Sequence, residues 1–304
     1  MEELIIGSHV SFTKEKQLVG SVLECLSYNA NTFMFYTGAP QNTVRSVLRQ
    51  NLTEEAYRLM EEHQINPANV VIHAPYIVNL ANNQKKDSYQ FAIEFLDREI
   101  ERCEELGILR MILHPGSYVQ LSKEEGITNI VNALDTIMHR EQAVFICLET
   151  MAGKGTEIGS LDDIAEIIAR VKYPEKIMVC LDTCHLSDAG YDMSNFDQFL
   201  EEFDRKIGIS KIGCIHINDS KNVRGAHKDR HANLGFGTLG FDNLLQIIYH
   251  PQLKNVPKIL ETPYVTKQDD LKERVYPPYR FEIEMIRQKK FDPLLIEKIR
   301  AYYK

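Results

Sequence analysis

The chain has 304 residues, a formal net charge of −8 and six cysteines. It contains no apolar stretch long enough to span a membrane, and Met1–Glu2–Glu3 lacks the basic segment of a secretory signal. We therefore expect a cytoplasmic protein without a membrane partner. The negative charge also argues against non-specific binding of polyanions by the whole surface, because such binding needs clustered lysine and arginine.

The cysteines show no C-x-x-C pair, and three of them, Cys147, Cys180 and Cys214, lie inside apolar segments. Cytosolic thiols are kept reduced, and isolated cysteines in apolar segments are typical of packed side chains. The sequence therefore predicts reduced, mostly buried thiols rather than a disulfide framework.

Apolar segments that are typical of strands alternate along the chain with segments that have the apolar spacing of helices. The predicted strand and helix pairs are Leu4–Ser8 with Gln17–Tyr28, Asn31–Tyr36 with Thr53–Gln64, Asn69–His73 with Asp87–Leu106, Arg110–His114 with Ser122–Arg140, Ala143–Glu149 with Leu161–Val171, Ile177–Asp182 with Phe196–Gly208, and Lys211–Asn218 with Phe241–Tyr249. Thr53 is the expected N-cap of the second helix, and Gly107 is expected to end the third. An eighth strand, Lys258–Glu261, precedes residues 264–304, which we expect to form a C-terminal loop and a helix after Pro277–Pro278.

Eight strand and helix units predict a closed (β/α)8 barrel of the TIM type. The strands are continuous apolar runs, as expected for parallel strands that are buried on both faces. No linker or change of composition divides residues 1–304, so we expect a single domain. In such a barrel, the active site lies at the C-terminal ends of the strands.

Six of the predicted strands end in a residue type that binds divalent metal ions. These residues are His73, His114, Glu149, Asp182, His216 and Glu261. The barrel would bring them to one face, where three carboxylates and three imidazoles need cations between them to coexist without large pKa shifts. A metal centre is therefore expected at the C-terminal face.

Three further candidate ligands lie close to this set in the sequence. His185 follows Asp182 by one helical turn, and Asp229 and His231 have the i, i+2 spacing of side chains on one side of an extended segment. A solvated turn is the alternative interpretation of Asp229–Arg230–His231. Nine ligands exceed the four that usually satisfy one zinc ion, so the set favours a cluster of ions.

Several of these segments together form a recognisable motif set. They are His73–Ala74–Pro75–Tyr76, His114–Pro115–Gly116–Ser117, Glu149–Thr150–Met151–Ala152–Gly153–Lys154–Gly155, Leu181–Asp182–Thr183–Cys184–His185, His216–Ile217–Asn218–Asp219–Ser220–Lys221 and Asp229–Arg230–His231. From Leu4 to Glu261, the chain resembles endonuclease IV, the apurinic/apyrimidinic (AP) endonuclease family with a trinuclear zinc site. The resemblance implies three zinc ions per chain, with Mn²⁺ or Fe²⁺ as possible occupants of some N/O sites.

The resemblance also implies a division of the ligands among three ions. His73, His114 and Glu149 would hold the first ion, Glu149, Asp182, His216 and Glu261 the second, and His185, Asp229 and His231 the third. Glu149 would bridge the first two ions. Glu149 and Glu261 are the expected catalytic residues, because either could orient or deprotonate a water that attacks phosphorus.

The implied substrate is double-stranded DNA that contains an abasic site. Hydrolysis 5′ to that site would leave a 3′-hydroxyl and a 5′-deoxyribose phosphate, and removal of 3′-blocking groups is a further expected activity. A monomer is expected. Tyr76 matches the tyrosine that family members push into DNA, and Lys221 and Arg230 are expected contacts to the DNA backbone, with a solvated charged face as the alternative.

The arginine that the family places in its second βα loop is not evident. Gln41 or Asn42 occupies this region, and Arg45 follows further along the loop.

Two other functions remain open at this point. The related xylose-isomerase-like barrels include sugar isomerases and epimerases that use a Glu, Asp, His, Glu metal set, here Glu149, Asp182, His216 and Glu261. That interpretation leaves the other candidate ligands without a role. A non-catalytic DNA-binding barrel is the second alternative, although binding alone does not require so many metal ligands.

Overall fold

The computed structural model of the chain describes residues 4–269 and 272–304. Within them, eight parallel strands form one closed barrel, each paired with its neighbour along the chain. The strands are β1 (Ile6–His9), β2 (Thr32–Phe35), β3 (Val71–His73), β4 (Arg110–Leu113), β5 (Phe145–Glu149), β6 (Ile177–Asp182), β7 (Ile212–Ile217) and β8 (Lys258–Leu260). β8 closes the barrel on β1, with Lys258 opposite Ile6. The predicted single-domain (β/α)8 barrel is confirmed.

The helices follow the strands as the alternation predicts. They are α1 (Gln17–Ser27), α2 (Gln50–Glu62), α3 (Lys86–Leu106), α4 (Lys123–Ile137), α5 (Leu161–Arg170), α6 (Thr183–Asp188), α7 (Phe196–Lys206), α8 (Phe241–Ile248), α9 (Tyr279–Gln288) and α10 (Leu295–Tyr303). Gly107 ends α3 in the left-handed conformation at φ 69°, as expected. No helix of the described residues is long and apolar enough to cross a bilayer.

The predicted start of the second helix is wrong. α2 begins at Gln50 after Arg49, so Thr53 lies inside the helix and does not cap it. The backbone N–H of Arg49 donates to Oε1 of Gln17 at 2.9 Å, which ties the helix start to the first residue of α1. A tertiary contact therefore sets this boundary, and a local capping preference does not.

Two elements extend the predicted pattern. The short helix α6 follows β6 directly, and the Asp182 side chain caps it by accepting the N–H of His185 at 2.7 Å. After β8, residues Val265–Thr266 and Arg274–Tyr276 pair as an antiparallel ribbon before α9 and α10. The segment 264–304 therefore holds a ribbon and two helices.

A small apolar cluster lies inside the barrel. Its fully buried members are Met34, Val71, Ile112, Cys147, Cys180, Cys214 and Ile259. All six cysteines are free and buried, as the sequence predicts. β1 contributes Gly7 to the barrel wall, where a Cβ atom would collide with the backbone carbonyl of Thr32 on β2. Glycine thus permits the close approach of these two strands.

Candidate metal centre

A polar layer covers the apolar cluster at the C-terminal end of the barrel. Alternate residues of a strand point to the same side, so the residue two positions beyond each cluster residue also faces inward. Val71 is followed in this way by His73, Cys147 by Glu149, and Cys214 by His216. Around the barrel, this layer holds His9, Tyr36, His73, His114, Glu149, Asp182, His216 and Glu261.

The three residues of the first predicted ligand group lie close together. Nε2 of His73 lies 3.2 Å from Oε2 of Glu149, and Nε2 of His114 lies 3.1 Å from the same oxygen. A ligand atom from each residue lies within 4.8 Å of the other two. Nδ1 of His73 lies 2.6 Å from the carbonyl oxygen of Ala74, so a proton on Nδ1 leaves Nε2 available as a ligand.

The second predicted group shares Glu149 with the first. Nδ1 of His216 lies 3.1 Å from Oε1 of Glu149 and 2.9 Å from Oε2 of Glu261. Oδ2 of Asp182 is 3.8 Å from the same nitrogen, and the four residues offer ligand atoms within 4.8 Å of one another. The two carboxylate oxygens of Glu149 therefore face different groups of histidines.

The third predicted group lies beside the second. Oδ1 of Asp229 is 3.1 Å from Nε2 of His185 and 3.4 Å from Nε2 of His231. Nδ1 of His185 lies 2.9 Å from the carbonyl oxygen of Thr150, which again leaves Nε2 free. Nε2 of His231 is buried and has no hydrogen-bond partner, as expected for a nitrogen that accepts a metal ion.

Cys184 is a further candidate that sequence reasoning did not select. Its sulfur lies within 4.8 Å of ligand atoms of Asp229 and His231. Burial, together with the charge of Asp182, raises the pKa of the Cys184 thiol far above its usual range. His185 is the better third member of this group on geometric grounds, because its Nε2 lies 3.1 Å from Oδ1 of Asp229.

The electrostatics of the layer indicate where positive charge is needed. Burial alone would raise the pKa of Glu149, but the histidines around it, His216 and His114 foremost, hold this pKa well below its usual range. Burial alone would lower the pKa of His216, but Glu261 and Glu149 hold it well above its usual range. The buried carboxylates thus draw positive charge between them, which histidinium supplies here and bound cations would supply equally. The N/O donor set fits zinc and similar divalent ions.

Two strand ends that the sequence analysis overlooked complete the layer. His9 ends β1 and Tyr36 follows β2, with ring centroids 5.3 Å apart, and the Tyr36 ring lies 4.9 Å from that of His73. Burial, and then Glu261 and Glu149, raise the pKa of Tyr36, so its hydroxyl stays protonated. Like the other six residues, His9 is a potential metal ligand at the end of an apolar strand. The predicted first strand, Leu4–Ser8, stops one residue before His9, which is why the sequence pattern did not reveal it.

The predicted DNA contacts border this polar layer. A cleft of about 540 Å³ is lined by Asp229, His231 and Glu261 together with the cations of Lys221, Arg230 and Arg274. Burial, and then Arg274 and Arg230, lower the pKa of Lys221, because the two guanidinium groups lie close enough to repel its ammonium charge. Tyr76 lies on the loop after β3 with 55% of its surface exposed.

The polar side chains of the loop after β2 differ in their contacts and in their exposure to solvent. Nε of Arg45 donates to Oε1 of Glu99 on α3 at 2.7 Å, and the Arg45 guanidinium lies over the Phe95 ring. The Arg45 guanidinium is therefore held against α3, while Gln41 and Asn42 are exposed.

The comparisons with known proteins decide among the barrel families. Residues 22–288 match the family model of the xylose isomerase-like TIM barrel. A probable endonuclease 4 of Bacillus cytotoxicus is 51% identical over 98% of this chain and 99% of its own length. A probable endonuclease 4 of Lachnoclostridium phytofermentans is 50% identical over 97% and 98%. The chain belongs to the endonuclease IV family.

The solved structures agree with this family assignment. Endonuclease IV of Thermus thermophilus has a TM-score of 0.76 and 27% identity, covering 96% of this chain and 99% of its own. A D-tagatose 3-epimerase-like protein has a TM-score of 0.65 at 17% identity over 98% and 100% of the two chains. At that identity the epimerase-like protein shares the fold alone.

Proposed function

We propose that this member of the endonuclease IV family is a metal-dependent AP endonuclease that cleaves DNA 5′ to abasic sites. The observation that carries the proposal is the position of Glu149. One of its oxygens faces His73 and His114, and the other faces His216 and His185. Such a carboxylate can bridge two cations. A bridged pair of cations with a third metal-binding group beside it would suit phosphodiester hydrolysis.

The residues would divide the metal ions as three groups, with zinc as the proposed metal and three ions per chain. His73, His114 and Glu149 would hold one ion, Glu149, Asp182, His216 and Glu261 the second, and His185, Asp229 and His231 the third. When bound, the ions supply Lewis acidity toward the phosphate and lower the pKa of a water molecule. Mn²⁺ or Fe²⁺ could replace zinc at some of these sites.

The side chains of this chain would orient the reaction. Glu149 and Glu261 present carboxylate oxygens at the inner layer, where either can accept a proton from the attacking water. The water oxygen bonds to phosphorus and the bond from phosphorus to the upstream O3′ breaks. The proton that the carboxylate accepted is returned to O3′, which leaves as the 3′-hydroxyl. The downstream product carries the 5′-deoxyribose phosphate, and the same centre would remove 3′-blocking groups.

Substrate binding would use the rim of the barrel. Lys221 and Arg230 lie at the cleft beside Asp229 and His231, where their charges can neutralise backbone phosphates. The exposed Tyr76 ring can fill or open the base stack where a base is missing. A cytoplasmic monomer acting on damaged duplex DNA is the proposed physiological form.

The decisive experiment combines metal analysis with one cleavage assay. Purified protein should contain close to three equivalents of zinc and should cut a duplex with a single abasic site on its 5′ side. Product ends should be a 3′-hydroxyl and a 5′-deoxyribose phosphate by mass spectrometry, and an undamaged duplex should stay intact. A metal-loaded protein that leaves the abasic duplex uncut contradicts the proposal.

The epimerase alternative would use only Glu149, Asp182, His216 and Glu261. It leaves the contacts of Asp229 with His185 and His231 unexplained. Incubation of the same preparation with ketohexoses tests it directly, because epimerisation without DNA cleavage would favour the alternative.

A further inference from the structure

Asp188 is a buried carboxylate to which the proposed chemistry assigns no role. It is the last residue of α6 and is fully buried. A negative charge at a helix C-terminus faces the negative end of the helix dipole, and burial adds a desolvation cost. Its presence there therefore needs compensation from nearby hydrogen-bond donors.

The compensation comes from four uncharged donors. Oδ1 of Asp188 accepts the hydroxyl of Ser220 at 2.8 Å. Oδ2 accepts the side-chain amide of Asn222 at 2.8 Å and the backbone N–H groups of Lys228 at 3.2 Å and Asp229 at 2.8 Å. Three of these donors lie in residues 221–231, called here the Asp229 loop.

The end of α6 holds the same loop through its backbone. The carbonyl oxygen of Asp188 accepts the N–H of His227 at 3.0 Å, and that of Ser187 accepts the N–H of Gly225 at 2.9 Å. His227 and Asp229 both have positive φ, 53° and 52°, a conformation that is unfavourable for residues other than glycine. The contacts with α6 therefore offset a strained path of the Asp229 loop.

This path determines where the Asp229 side chain points. Its Oδ1 lies 3.1 Å from Nε2 of His185, which is on α6 one turn before Asp188. One short helix thus places His185 directly and places Asp229 through Asp188. Asp188 itself contacts none of the first two ligand groups among the hydrogen bonds recorded for the described residues.

We propose that Asp188 is a positioning residue for the third metal site. This inference rests on the metal-dependent function proposed above. It holds the Asp229 loop so that Asp229 and His231 meet His185. Asp188 therefore acts on the site formed by these three residues. Loss of the Asp188 charge weakens binding of one metal equivalent and leaves the remaining equivalents tightly bound.

The test compares Asp188→Asn and Asp188→Ala with wild type and with Asp204→Asn. Asp204 is a matched control because its exposed carboxylate, near the C-terminal end of α7, also accepts a backbone N–H, that of Ile209 at 2.8 Å. Asp188→Asn keeps the side-chain shape, so it stays informative if Asp188→Ala does not fold. Each protein is titrated with zinc alone against a competing chelator, and its melting temperature is recorded in parallel.

We expect one zinc equivalent to bind about 10- to 100-fold more weakly in Asp188→Asn, the usual effect of removing a partner that orients a metal ligand. The other equivalents should bind as in wild type, and Asp204→Asn should match wild type throughout. Excess zinc should restore the lost equivalent in Asp188→Asn but not in Asp229→Ala, which lacks the ligand itself.

Two results overturn the proposal. In one, the melting temperature of Asp188→Asn falls while all zinc equivalents bind as in wild type, which means that Asp188 acts on stability alone. In the other, all equivalents weaken together. The titration uses no DNA, so a wild type that fails to cut abasic DNA would refute the proposed function without deciding this inference.

Discussion

Asn218 donates a hydrogen bond of 2.7 Å from Nδ2 to Oδ2 of Asp182. Its Oδ1 accepts the backbone N–H of Glu261 at 3.0 Å, so one buried amide joins the ends of β6, β7 and β8. Asn218→Ala should weaken zinc binding at the group of Asp182 and Glu261 about 10- to 100-fold, because the carboxylate loses its orientation. It should also lower the free energy of unfolding by about 1–3 kcal/mol, since a buried acceptor loses its partner. Zinc titration and urea unfolding measure both effects, and wild-type zinc affinity would show that Asn218 does not orient Asp182.

Glu261→Gln should lower the rate of abasic-site cleavage by several orders of magnitude while binding of abasic DNA is largely kept. The amide preserves the shape of the side chain but loses the charge proposed to hold the second ion and its water. Single-turnover cleavage and a binding titration separate the two effects. Glu141→Gln is the control, because Glu141 is exposed on the connection before β5, and it should cleave as wild type does. Fast cleavage by Glu261→Gln would refute its catalytic role.

Tyr76→Ala should weaken binding of abasic duplex much more than binding of undamaged duplex. An exposed ring at the mouth of the barrel can enter the stack where a base is missing, whereas a packing role would affect both duplexes equally. The measurement is the ratio of the two dissociation constants at one fixed salt concentration, because phosphate contacts vary with salt. Tyr302→Ala is a matched control, since Tyr302 is 56% exposed on α10 and Tyr76 is 55% exposed. An unchanged ratio for Tyr76→Ala would direct attention to Gln41 and Asn42.

Arg45→Ala should lower stability without changing the ratio between the two duplexes. Its guanidinium is paired with the fully buried Glu99, and removal of one partner leaves an uncompensated buried charge at a cost of about 3–5 kcal/mol. Thermal unfolding and the same pair of dissociation constants provide the test. A selective loss of abasic-duplex binding would show that Arg45 leaves Glu99 and contacts DNA.

Glu282→Gln should remove a pH dependence of stability that originates in α9. Burial raises the pKa of Glu282 to about 7, although Thr262, Leu234 and Asn233 donate hydrogen bonds to it. From the ordinary pKa of 4.5 up to about 7, the unfolded chain has lost this proton and the folded protein retains it. The free energy of unfolding therefore falls as pH rises through this window, by roughly 3 kcal/mol from this group.

The glutamine variant mimics the protonated form and should lack this decrease. Urea unfolding of both proteins at a pH of about 5 and a pH of about 8 measures the difference in slope. Equal slopes in the two proteins would show that Glu282 does not titrate in this range.

The strands, the closed barrel and the convergence of the six strand-end residues could be predicted from the sequence because they follow from short-range patterns. An apolar run that ends in a histidine or a carboxylate is visible within a few residues, and the barrel then dictates that such ends converge. Tyr36 was missed because tyrosine is not a typical metal ligand, so its place in the layer depends only on the strand alternation.

Other features depend on contacts between remote segments. No local sequence signal indicates three of these contacts. They are the hydrogen bond from Asn218 to Asp182, the hydrogen bonds from the Asp229 loop to Asp188, and the ion pair of Arg45 with Glu99. The start of α2 shows the same limit, since Thr53 satisfies the local capping preference but a contact with Gln17 fixes the helix start three residues earlier.

The closure of β8 on β1 affects when each part of the centre can form during synthesis. His73, His114 and Glu149 come from the adjacent strands β3, β4 and β5, so their group can assemble on a partly made barrel. Glu261 follows β8, and His231 lies on the connection before that strand. In a chain still attached to the ribosome, His73, His114 and Glu149 can thus approach one another early, and of the nine candidate residues Glu261 alone follows the last strand.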